Sequence, residues 1–143
     1  MSKRWKAAAV ICEYNPFHMG HQYHLEETRR ISGAEYVIAV MSGNFVQRGE
    51  PAIADKWLRT EMALRGGADL VVELPAAYAL SSAQYFASGA VDLICKMSVV
   101  THLSFGSEAF GGEGGPAGLE RFALRTPRGP ELDRGSLRGG RSY

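Results

Sequence analysis

Apolar and polar positions follow one another in blocks along this chain, and each block predicts an element. Ala7–Cys12 is an unbroken apolar run, the pattern of a strand buried on both faces. Gly20–Ser32 has helical spacing, with Tyr23 or His24 and Leu25 inward and Glu26, Glu27, Arg29 and Arg30 outward; Ser32-Gly33 ends it. Tyr36–Met41 is a second buried strand. The mixed stretch Ser42–Ala54 is long for a connection in a compact α/β unit, which marks a functional loop. Asp55–Arg65 reads as a helix with Leu58, Met62 and Leu64 toward the core, stopped by Gly66-Gly67. Leu70–Glu73 is a third strand, closed by Pro75. Ser82–Lys96 is a long helix carrying Tyr85 or Phe86, Ala90, Leu93 and Ile94 along one side. Thr101–Phe105 is a fourth strand.

Strands alternating with helices imply right-handed crossovers and a mostly parallel sheet, hence an α/β fold. In such a sheet ligands sit beyond the C-terminal ends of the strands. The pattern lapses after Ala109. Residues 111–143 carry nine glycines, three prolines and six arginines among 33 residues. That composition buries little surface, so a poorly structured tail is expected to follow a folded unit of residues 1–110. A frameshift or a fragment end is the other reading of the tail.

Charge changes the picture little. The whole chain carries net +1; residues 1–110 hold ten Lys/Arg against eleven Asp/Glu. The patterned part is therefore not basic, and no nucleic-acid footprint announces itself from charge alone. Cys12 and Cys95 lie in apolar stretches and read as buried thiols, without metal-ligand spacing. The basic start through Lys6 and the apolar run after it are cut short by Glu13 and Asn15. That length suits neither a leader nor a membrane span, so a cytoplasmic protein is expected.

Candidate chemistry concentrates where the first strand hands over to the first helix, in Asn15-Pro16-Phe17-His18-Met19-Gly20-His21. A helix N-terminus offers free N–H groups to an anion, and a glycine lets a ligand come close. Two imidazoles can add hydrogen bonds as phosphoryl charge builds up. Asn15 is suited to bond a phosphate or to cap the loop. Pro16 fixes the loop, and Phe17 packs. His24, one turn on, faces either the site or the core. In the long loop, Asn44, Gln47 and Arg48 are candidates for substrate or RNA contact. Asp55 reads as a helix N-cap, Lys56 beside it can reach an anion, and Glu73 ends a strand at the ligand edge.

His-x-Gly-His at 18–21 resembles the signature of HIGH-type nucleotidyltransferases. The longer string Glu13–His21 narrows the resemblance, together with Met41-Ser42-Gly43-Asn44-Phe45-Val46-Gln47-Arg48-Gly49-Glu50-Pro51, Asp55–Arg59, Ala68–Pro75 and Phe105-Gly106-Ser107-Glu108. Together these look like the N-terminal part of the bacterial tRNA(Met) cytidine acetate ligases, over roughly Lys6 to Glu108. The resemblance implies a Rossmann-like HIGH-type fold. It implies activation of acetate by ATP to acetyl-adenylate, then acetyl transfer to the wobble cytidine of elongator tRNA(Met). His18 and His21 would be catalytic, and ATP would be contacted by Ile11, Cys12, Glu13, Tyr14, Asn15, Pro16, Phe17, His18, Gly20, His21, His24 and Gly106. Mg²⁺ is a reasonable companion of the nucleotide, although no dedicated metal ligand set is visible. The family's later Ile-Arg segment is missing, so this chain is expected to be an incomplete portion, inactive alone, with most RNA contacts elsewhere. Two alternatives remain: another HIGH-type adenylyltransferase or pantothenate synthetase-like ligase, and a non-catalytic ATP-binding fragment.

Overall fold

The computed structural model describes residues 5–105. Gly106, Ser107, Glu108 and the 111–143 tail lie outside the described residues. The elements run β1 (Ala7–Cys12), α1 (Met19–Ser32), β2 (Tyr36–Ser42), α2 (Lys56–Arg65), β3 (Leu70–Leu74), α3 (Ala76–Ala79), α4 (Ala83–Lys96) and β4 (Val100–Ser104). All strand pairs are parallel, in the order β3-β2-β1-β4. Ala7 to Cys12 pair in step with Tyr36 to Met41, which brings the C-terminal ends of β1 and β2 to one edge.

Strand periodicity splits the core into two layers. Ala7, Ala9, Ile38 and Val40 face a cluster completed by Leu74, Ala79, Phe86, Ala90, Ile94, Val100 and Leu103. Val10, Val37, Ala39 and Met41 face the other way, with Tyr14, Leu25, Ala63 and Ala68. The chain steps outward from β1 through β2 to β3, then returns past β1 to β4. Right-handed crossovers in opposite directions put α1 and α2 on one face and α4 on the other. The strand order therefore reverses between β1 and β4, the position beyond whose C-terminal strand ends α/β sheets hold their ligands.

Local chemistry sets the helix ends. Gly33 ends α1 in the left-handed region at φ 62° and donates its N–H to Arg29 O. Asp55 caps α2 by accepting from Leu58 N–H at 2.8 Å.

The structure corrects one predicted face and resolves two open choices. On α2, Leu58 and Leu64 are 45% and 44% exposed, while Arg59 and Ala63 are fully buried. The small Ala63 lets the helix approach the sheet, and Arg59 finds enough carbonyls to be buried. Met62 is half-buried. On α1 the inward residues are Leu25 and, in part, His24, not Tyr23; on α4 they include Phe86, not Tyr85. The short helix α3 was not predicted. The Ser42–Ala54 loop is itself ordered, with a 3₁₀ turn at Gln47–Gly49 and a bridge between Phe45 and Pro51.

Candidate active site at the β1–α1 turn

At the end of β1 the chain turns sharply. Tyr14 sits in the left-handed region at φ 48°, and the Asn15–Pro16 peptide is cis. The turn delivers His18 to the N-cap of α1. There the two histidines cap the helix mutually. His18 Nδ1 accepts from Gly20 N–H at 3.1 Å, and His21 Nδ1 accepts from His18 N–H at 3.2 Å. Their rings stack with centroids 3.6 Å apart. A neutral imidazole that accepts at Nδ1 carries its proton at Nε2. The hydrogen-bond network thus assigns both rings the Nε2–H tautomer, with a donor left on each for a ligand.

The rings behind the pair come from the same turn. Tyr14 packs against His21 at 4.8 Å between centroids and against Phe17 edge-on at 4.8 Å. Burial pushes His21 down to about 4, with the neighbouring His18 and His24 opposing its charge as well. His24 is lowered by burial too. Its Nε2 meets Ser104 Oγ at 3.1 Å, and Ser104 in turn accepts from Thr28 Oγ1 at 2.7 Å. This hydroxyl pair ties α1 to the end of β4.

Unfolding returns His21 and His24 to ordinary proton affinity. Between pH 6.5 and about 4 the unfolded chain therefore binds more protons, and stability falls as the pH falls. Because solvent reaches the His21 ring, its share is expected to be of the order of 1 kcal/mol. Urea midpoints at pH 7 and pH 4.5 check this: the loss on acidification should shrink in His21→Asn. An unchanged loss would remove His21 as its source.

A second wall faces the turn. Arg59, fully buried, donates Nε to Glu13 O and Tyr14 O, Nη1 to Gly43 O, and Nη2 to Glu13 O, Ser42 O and Ser42 Oγ, all within 3.2 Å. Burial lowers its pKa, while Cys12, Glu13 and Asp55 act in the opposite sense. Glu13 Oε1 accepts from Gln47 N–H at 2.8 Å, and Asn15 Oδ1 accepts from Ile53 N–H at 2.7 Å. Asn44 Oδ1 accepts from Lys56 N–H at 2.8 Å. Lys56 Nζ pairs with Glu73 Oε2 at 2.7 Å. Arg48 is exposed, at φ 66°.

Tyr14, Phe17, His18, Gly20 and His21 are thus gathered at one helix start. Glu13, Asn15 and Asn44 use side-chain oxygens to brace the loop, and Lys56 joins Glu73. Ile11 and Cys12 lie under the site: Ile11 packs against the α4-side core, and the Cys12 thiol donates to Val40 O at 3.5 Å. Burial pushes that thiol up to about 12, so it is inert. Arg59, Thr28 and Ser104 were not singled out from sequence. A cation four residues before Ala63, on the same helix face, was the available signal for Arg59. Among the described residues no group of three or more His, Cys, Asp or Glu side chains is placed to hold a metal ion. Among them, too, no helix is long and apolar enough to cross a membrane.

A parallel sheet that reverses strand order beside a histidine-capped helix start is an α/β arrangement in which a phosphate-bearing ligand has a place to sit. The chain belongs to the HIGH nucleotidyl transferase family, whose model matches residues 5–114. It is 61% identical over 103 residues to the tRNA(Met) cytidine acetate ligase of Acetivibrio thermocellus, and 59% identical over 103 residues to that of Caldanaerobacter subterraneus. These matches cover 72% of this chain and 25% and 26% of the relatives, so the chain spans about a quarter of their length. The crystal structure of Thermotoga maritima TmcAL bound with alpha-thio ATP is similar, with a TM-score of 0.68 and 53% identity, covering 73% of this chain and 25% of that one. The apo structure of the same protein gives the same TM-score and identity.

Proposed function

We propose that this chain supplies the ATP-holding part of a ligase that activates acetate as acetyl-adenylate and passes the acetyl group to the wobble cytidine of elongator tRNA(Met). The observation that carries the reading is the mutual cap of His18 and His21, which spends both Nδ1 atoms internally and leaves two Nε2–H donors at a helix N-terminus. An acetate oxygen attacks the α-phosphorus, and pyrophosphate leaves with the electron pair of the broken P–O bond. The two imidazoles and the helix N-terminus stabilise the charge that builds on the phosphates. Gly20 keeps the approach open. No covalent protein intermediate is required, so positioning and electrostatics do the work. The ion-paired Lys56 and the exposed Arg48, in and after the loop that follows β2, are the cations this reading offers to acetate or RNA phosphate. Among the described residues the side chains do not form a dedicated magnesium cage; a magnesium ion would arrive with the nucleotide's phosphates.

The short span relative to the relatives favours a second statement: the chain alone binds ATP without completing the reaction. A chimera tests both. With this chain's residues 5–105 in place of the matching quarter of the Acetivibrio ligase, acetate-dependent ATP–pyrophosphate exchange is expected. Exchange driven by pantoate or nicotinamide mononucleotide instead would assign a different ligase. Acetyl-adenylate formation by residues 1–143 alone, at a rate within tenfold of a full-length relative, would refute the partial-enzyme statement.

A further inference from the structure

Arg59 is the largest fully buried side chain among the described residues, and its hydrogen-bond partners are four main-chain carbonyls and one hydroxyl. Burying a guanidinium is costly unless its donors are satisfied. Here they are, by two separate segments: Glu13 and Tyr14 after β1, Ser42 and Gly43 after β2. One of these is itself under strain. Tyr14 is a non-glycine residue at φ 48°, a conformation that persists only where its surroundings hold it. Arg59 Nε donates to Tyr14 O at 3.1 Å, at that residue. The Tyr14 ring, aimed by the same backbone, lies against His21 and Phe17.

We infer that Arg59 is a positioning residue for the histidine pair: it holds the Tyr14 turn so that the Tyr14 ring seats His21 with Nδ1 on the His18 N–H and Nε2–H free for phosphate. The inference rests on the nucleotide reading of His18 and His21. Arg59 reaches His21 only through Tyr14, and the Ser42 and Gly43 carbonyls fix the second loop at the same time. The titratable neighbours of His21 are His18 and His24 on its own helix and Tyr14 from the turn. Without the clamp the turn relaxes, the Tyr14 ring withdraws, and more of the His21 ring is exposed to water.

The test is an imidazole NMR titration of the 143-residue chain and of Arg59→Met and Arg59→Lys, with ATP affinity measured by calorimetry. In the original chain His21 is expected to stay neutral down to about pH 4 and to show one tautomer. In folded Arg59→Met its midpoint should rise toward the ordinary 6.5, with mixed tautomers, and ATP should bind at least tenfold more weakly. Lysine keeps the charge but offers three donors from a point, so Arg59→Lys should move the same way and serves if the methionine variant does not fold. His24, anchored by Ser104, is the internal control and should not move. A folded variant that keeps the His21 midpoint overturns the inference, as does one in which His24 moves equally, since that is general loosening. An original chain that titrates as expected but does not bind ATP overturns the nucleotide reading instead and leaves the clamp standing.

Discussion

His18→Ala is expected to weaken ATP binding by the chain roughly ten- to a hundredfold, the loss of one hydrogen bond to a charged phosphate at about 1.5–3 kcal/mol. In the chimera the same change should cost two to three orders of magnitude in exchange rate, as removal of one preorganised donor does elsewhere. The alanine also removes the cap that Gly20 N–H uses, at about 1 kcal/mol of stability. Asparagine separates the two roles. His18→Asn can still cap the helix but has no donor where Nε2–H stood. It should melt close to the original chain and bind ATP as poorly as the alanine variant. The stacked pair acts as a unit, so His18→Ala and His21→Ala should not add. Calorimetry beside thermal melting decides. If His18→Asn binds ATP as tightly as the original chain, the histidine is only a cap.

Gly66→Ala is expected to destabilise the fold by roughly 1–3 kcal/mol, although an alanine at its φ of −81° would ordinarily help. The sign is decided by Phe17. A methyl group at position 66 would run into the Phe17 ring at Cζ and Cε1 and come within 3.1 Å of Met62 O. The ring has little room to retreat, because Tyr14 holds it edge-on at 4.8 Å and His21 lies 5.6 Å away. Overpacking here therefore reaches the site as well as the core. A domain of this size should lose roughly 4–8 °C of Tm per kcal/mol. Adding Phe17→Leu should restore part of the loss by vacating the space. A Tm unchanged or raised in Gly66→Ala would mean that the ring does not pack against residue 66.

Much of the candidate site's geometry was legible because it is local. His18, Gly20 and His21 lie within one turn of a helix start, and a strand-then-helix pattern places that start at a ligand edge whatever the rest does. What each polar group spends itself on was not legible. Glu13 was expected at the nucleotide, and Asn15 at a phosphate or as the cap of the loop; their side-chain oxygens accept from Gln47 and Ile53, more than thirty residues away. Lys56 pairs with Glu73 across 17 residues, and His24 meets Ser104 at the end of β4, 80 residues on.

By itself the sequence determined the alternation of strands and helices, the parallel sheet, and the place where two imidazoles meet a helix N-terminus. Continuous apolar runs and short-range caps are physics of neighbouring residues, and they survive without knowledge of the partner strand. Only the tertiary structure decided the order β3-β2-β1-β4, the burial of Arg59 rather than Leu58, and the braces across the long loop. A helix face turns by about 100° with each residue, so propensity says that α2 forms but not which side it buries. That side is chosen by four carbonyls from two other segments, and these converge only once β1 and β2 lie side by side.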